Sequence, residues 1–279
     1  MNVRKAKHGT LLTIFFSVLS IAYVYPIALV LINSFKKKAY ISRASFAIPA
    51  DKMYVGFDNY LNGIEKTGFI QAFGWSLFIT VFSVMAIVLC TSMCAWYISR
   101  VKNKVTSTIY YLCLFSMIVP FQMVMFTLSK IANMLRLSNP IGIIVIYLGF
   151  GAGLSVFMFT GFVKSIPLEI EEAAMIDGCT PIQTYFKVVF PILKPTSITV
   201  AILQAMWIWN DYLLPYLVLD IRKYKTIPIA VQYLKGGYGS VDMGAMMGVL
   251  VLSIIPIVVF YLACQKYIIE GVVAGAVKG

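Results

Sequence analysis

Six stretches of this 279-residue chain, 11–34, 71–99, 106–128, 141–163, 198–219 and 243–265, are apolar throughout and hold one charged residue between them, Asp211. Each is near the ~20 residues that an α-helix needs to cross about 30 Å of hydrocarbon. The chain is 60% hydrophobic and 12% charged, whereas roughly 25% of a soluble domain is charged. The apolar surplus cannot hide inside a globule this small. A soluble enzyme, a secreted disulfide scaffold and a disordered chain are excluded. An all-α membrane protein with six transmembrane helices is expected.

Residues 1–10 read as an N-terminal tail, 11–265 as the membrane domain and 266–279 as a C-terminal tail. The first apolar run exceeds the about 7–15 residues of a signal-peptide core and reads as a retained span. The net charge of +12 would suggest nucleic acid in a soluble protein. Here basic residues border spans and meet anionic head groups, so the lipid bilayer is the expected partner and nucleic acid is not. An even number of spans puts both termini on one side. That side carries eleven Lys and Arg residues and the opposite side twelve, so charge does not set the orientation. Four of the five cysteines lie in apolar runs, and Cys90 and Cys94 have no further ligand nearby, so no metal site is expected. Two glycine pairs, Gly149 with Gly153 and Gly244 with Gly248, have the spacing of close helix packing.

The connector 164–195, KSIPLEIEEAAMIDGCTPIQTYFKVVFPILKP, is the sizeable one with clustered acids. Ser165 and Pro167 suit a helix start, and Glu169, Glu171 and Glu172 place negative charge at its N-terminal dipole. Gly178 is a natural helix end. Thr180-Pro181-Ile182-Gln183 then forms a capping box for a second short helix. Pro191 and Pro195 keep that helix from running on smoothly. A helix–Gly–helix of this kind predicts a docking knob, or else an interfacial helix lying in the head groups; the clustered acids favour the knob.

EEAAMIDG, nine residues and then VVFP resemble the EAA loop of ABC importer permeases: Glu172, Ala173, Ala174, Gly178 and Pro191 match, while Val188 and Phe190 stand where the pattern has Ile and Leu. WIWNDYLLP at 207–215 resembles the fifth-span motif of carbohydrate-uptake permeases, and QKYIIEGVVAGAVKG at 265–279 their C-terminus. Over its whole length the chain is similar to the smaller permease of maltose-type importers. The resemblance implies that the loop 164–197, between spans four and five, is cytoplasmic and inserts into an ATPase cleft. Its candidate coupling residues are Glu171, Glu172, Ala173, Ala174, Asp177, Gly178 and Pro191. It also implies cytoplasmic termini in a bacterial plasma membrane. The implied partners are a second permease, two ABC ATPase subunits, an extracellular sugar-binding protein and a sugar substrate.

An acid at membrane depth is a functional-site candidate by default. Asp211 sits beside Asn210, with Gln204 and Trp207 one turn or two away and Gln122 following Pro120 in the third span. Three readings compete. Gln122, Gln204, Trp207, Asn210 and Asp211 line a sugar path; or Asp211 relays protons; or it caps a helix and bonds a neighbouring one before Pro215. No span carries Lys or Arg, which favours neutral substrates.

The leading function is therefore a permease subunit of an ATP-driven sugar importer. The alternative is an ion-coupled secondary transporter using Asp211, which is poor in intramembrane acids and shows no internal repeat. No G-x4-G-K-[ST] loop is present, so ATP and Mg belong on partner ATPases and this chain is expected to bind no cofactor. The single histidine, His8, lies in the tail, and no catalytic constellation can be assembled.

Overall fold

The computed structural model describes residues 9–234 and 241–276, with side chains as far as 267. His8, most of the 1–10 tail and the end of the 266–279 tail lie outside the described residues. Within them the chain is helical and holds no strand beyond an isolated bridge between Lys36 and Tyr54. Four helices are long and apolar enough to cross a membrane: α1 (Gly9–Ser34), α4 (Phe69–Arg100), α7 (Pro140–Val163) and α14 (Met243–Ala276). The number rises to six if each of two bent helix pairs is one span.

One bent pair occupies the stretch expected as a single span over 106–128, with Pro120 inside it as a candidate kink. It is two helices, α5 (Lys104–Ile118) and α6 (Phe121–Met134), 109° apart. Pro120 is the cause, because it cannot donate its backbone hydrogen bond and pushes Val119 into an extended conformation. The fifth apolar stretch is also divided. Helix α11 (Lys194–Asn210) stops at Asp211, and a six-residue helix, α12 (Leu213–Val218), follows. At the other end α14 continues without a break past 265, where the tail was expected to begin.

The described chain divides into two units. The first holds residues 9–69 and 230–255. It contains α1, the short helices α2 (Lys38–Arg43) and α3 (Asp58–Thr67), and the start of α14. The apolar window of α1 buries none of its residues. Below it lies a polar knot. Lys36, fully buried, donates from Nζ to Asn33 Oδ1 (3.0 Å) and to the carbonyls of Ala44 (2.8 Å) and Ser45 (3.2 Å). Burial pulls this ammonium down from the usual lysine value. Asn59 donates to the carbonyls of Ser34 (2.7 Å) and Lys36 (2.8 Å). The glycine pair Gly244 and Gly248 packs against α3, since a Cβ there would meet Asn59. Lys66 on α3 pairs with Asp242 at 2.5 Å and holds that carboxyl below its usual range, and Asp242 also accepts from the N–H of Ala245 at the head of α14.

The second unit holds residues 70–229 and the chain from 256. Its core gathers Ile87, Tyr147, Phe159, Tyr185, Val189, Leu193 and Leu214. Helix α7 starts where Asn139 accepts from the N–H groups of Ile141 (3.1 Å) and Gly142 (3.0 Å), with Pro140 at the first position. Helices α5 and α11 lie along it. Of the pair Gly149 and Gly153, only Gly153 is a packing site: a Cβ there would meet Cys113 and Met117 on α5, and one at Gly149 would meet nothing.

Candidate functional site

The connector folds as its capping residues dictate. Helix α8 (Leu168–Ile176) ends on Gly178, whose φ of +86° favours a residue without a Cβ. The N–H of Gly178 bonds the carbonyl of Met175 and that of Cys179 bonds Ala174, both at 3.0 Å, the two closures of a Schellman end. The next helix, α9 (Pro181–Thr184), opens with the expected reciprocal box: Thr180 N–H donates to Gln183 Oε1 (2.9 Å) and Gln183 N–H to Thr180 Oγ1 (3.3 Å). A π-helical turn over Tyr185–Val189 follows, then α10 (Phe190–Ile192), which contains Pro191. Between Pro181–Ile192 and α11 the chain bends by 75°.

The candidate coupling residues divide by face. Glu172, Ala173, Asp177 and Gly178 are exposed, together with Met175 and Ile176, and Ile176 is 86% accessible. Glu171 and Ala174 point inward. Glu171 is 1% exposed, accepts from Trp96 Nε1 at 2.9 Å, and takes two bonds from Arg100, from Nε (2.9 Å) and Nη2 (2.6 Å). Pro191 sits apart at the far end, lining an apolar groove with Val84, Val88 and Ser197. The neighbours Ser92, Trp96 and Arg100 on α4 were not singled out from the sequence. Their spacing of four residues marks one helix face, and that polar stripe at the end of an apolar span was the signal.

The five polar candidates of the membrane region do not assemble into one site. Asp211 Oδ1 accepts from the N–H groups of Leu213 (2.9 Å) and Leu214 (3.4 Å), and Oδ2 accepts from the Tyr147 hydroxyl (3.0 Å). It therefore caps α12 and ties α11 to α7, which is the structural reading among the three. Gln204 is buried against α7, donating to Ser155 Oγ at 3.2 Å. Gln122 is exposed on α6. Trp207 and Asn210 lie with Leu203 and Met206 on one exposed face of α11, and the Trp207 ring stands edge-on to Tyr147 at 5.4 Å. Among the described residues no cluster of His, Cys, Asp and Glu could hold a metal ion.

Comparison with known proteins adds the following. Residues 87–273 match the family described as "Binding-protein-dependent transport system inner membrane component". The chain is 38% identical over 268 residues to the probable starch degradation products transport system permease protein AmyC of Thermoanaerobacterium thermosulfurigenes, covering 96% of each chain. It is 34% identical to the multiple sugar-binding transport system permease protein MsmG of Streptococcus mutans, over 92% of this chain and 93% of that one. The melibiose/raffinose/stachyose import permease protein MelC of Bacillus subtilis is 30% identical, with both chains fully covered. Among solved structures, the fold is similar to a chain of a bacterial ABC transporter that imports the acidic polysaccharide alginate. That likeness has a TM-score of 0.78 at 22% identity and covers 96% of this chain and 99% of the other.

Proposed function

The chain belongs to the family of binding-protein-dependent transport inner-membrane components, and from that membership we propose that it is one of two permeases forming the path of an ATP-driven importer for a neutral sugar or oligosaccharide. The relatives' names speak of starch products, multiple sugars and raffinose-type saccharides. None of the chain's apolar stretches carries a Lys or Arg to meet an anionic substrate. Sugar arrives from an extracellular binding protein, and ATP with Mg is held by two ABC ATPase subunits. In this reading the four long helices and the two bent pairs make six spans, and the termini are cytoplasmic. The corner α8–Gly178–α9 is the cytoplasmic knob that enters an ATPase cleft. The observation that carries the proposal is the exposed apolar tip of that corner, Met175 and Ile176, flanked by Glu172 and Asp177, at the spacing of the EAA loop.

The test is purification of the tagged chain from native membranes. A second permease, an ATPase and a sugar-binding protein are expected with it. Ile176→Glu, which puts a charge on the tip at a side chain 86% accessible, is expected to lose the ATPase and keep the second permease. Recovery of the wild-type chain alone, under detergent that preserves other such complexes, contradicts the proposal.

The sugar path runs along the exposed face of α11, where Trp207 offers a ring and Asn210 an amide to sugar hydroxyls. Asp211 supports that face from behind. Asp211→Asn keeps an acceptor for the N–H groups of Leu213 and Leu214, so uptake is expected to stay within about twofold of wild type, a shift of under 0.5 kcal/mol. Asp211→Ala loses the cap at a cost of about 1 kcal/mol. A proton relay through Asp211 would instead be abolished by the Asn variant, so uptake assays on the two variants separate the importer from the ion-coupled alternative.

A further inference from the structure

Two adjacent acids on α8 face opposite ways. Glu172 is exposed and free to meet a partner, whereas Glu171 is buried with both carboxylate oxygens occupied, Oε2 by Trp96 and Oε1 by Arg100. Arg100 Nη2 also donates to the carbonyl of Ile166 at 2.9 Å, at the entrance to α8. Further along α4, Ser92 and Tyr185 share a hydroxyl–hydroxyl bond of 2.6 Å, and the Tyr185 ring lies 5.4 Å from that of Trp96. One stripe of α4, at i, i+4 and i+8, thus holds the entrance to α8, α8 itself and the start of the π-helical turn.

We propose that this stripe is the latch through which movement of α8 reaches the membrane bundle, with Arg100 and Trp96 acting on Glu171 as positioning residues. The inference rests on the reading of α8–Gly178–α9 as the coupling corner. Helix α8 buries only Glu171 and Ala174, so apolar packing alone cannot fix it. An exposed ion pair would yield when pushed. A largely buried one, with a planar guanidinium fork whose two N–H groups converge on Oε1 and an indole N–H on Oε2, has a narrow range of geometries, and departing from it leaves the buried carboxylate short of partners. Helix and stripe therefore move as one body. The π-helical turn places a wider coil where the moving segment rejoins the bundle, a position at which such turns recur in functional sites.

The experiment uses the whole importer in liposomes with its ATPases and binding protein, and reads sugar taken up per ATP hydrolysed. Arg100→Lys keeps the charge and loses the fork; uptake per ATP is expected to fall about tenfold while the ATPases remain bound. Trp96→Phe, which keeps a ring and removes the N–H, is expected to give a smaller fall in the same direction. The double variant Arg100→Met with Glu171→Gln leaves no buried charge unpaired. It is expected to match wild type in thermal stability and Arg100→Lys in uncoupling. A double variant, or an Arg100→Lys variant, with wild-type uptake per ATP overturns the latch and leaves the pair a purely structural bond. Ile176→Glu is measured alongside. If it loses the ATPase while the latch variants couple normally, the latch alone fails; if it transports normally with ATPase bound, the coupling corner itself is misread.

Discussion

Replacing Gly178 with proline is expected to abolish ATP-driven sugar uptake and to leave the chain inserted in the membrane. Gly178 holds φ at +86°, and proline is locked near −65°. The substitution also removes the N–H that bonds Met175. A cost of about 3 kcal/mol or more falls on a nine-residue helix with two buried side chains, so α8 reorients or frays. The long apolar helices hold none of these bonds and still enter the bilayer. Gly178→Ala separates strain from crowding, because a Cβ at this site meets nothing within 4 Å. It carries only the left-handed backbone cost of about 1–2 kcal/mol and is expected to retain partial uptake. Membrane-fraction blots, uptake and ATPase activity check the set. Wild-type uptake in Gly178→Pro would remove the corner from the coupling path.

Gly142→Ala is expected to bring a loss of stability of comparable size. A Cβ at Gly142 would stand 2.2 Å from the carbonyl oxygen of Leu137, 2.5 Å from its Cα and 2.6 Å from its carbonyl carbon. All three are backbone atoms, so no side-chain rotation relieves the clash. The loop must move, and with it Asn139, whose side chain caps α7 through the N–H of Gly142. Overpacking of this kind costs about 3 kcal/mol, and α7 carries the core residues Tyr147 and Phe159. Gly149→Ala, on the same helix with open space around it, is expected to change stability by no more than about 0.5 kcal/mol. Thermal melts of the two variants in detergent check the difference; equal melting temperatures would contradict the packing at the start of α7.

What could be read from the sequence was what a few neighbouring residues determine. The end of α8 at Gly178 and the capping box of Thr180 and Gln183 close through bonds between residues at most five apart, so the local pattern sufficed. The break at Pro120 is equally local, and the proline marked the place, but hydropathy does not register the size of the bend, 109°. The different roles of Glu171 and Glu172 were out of reach. Adjacent helix positions differ by about 100°, and which one turns inward is set by Arg100, 71 residues earlier. Asp211 illustrates the same limit. Its place as the one charge in an apolar stretch was evident, but its service to Tyr147 and α12 depends on a partner 64 residues away.

Lys36 entered the charge tally as one basic residue among twelve bordering the spans, but its three donors all point into the chain. The oxygens of Asn33, Ala44 and Ser45 surround the ammonium much as ligands surround a bound cation. Small loops with little apolar core are commonly closed by a metal ion or a disulfide. Here the chain brings its own cation, tethered by a lysine side chain and held in place by burial. The segment that follows α1 is therefore closed by the chain's own charge on three of its own oxygens.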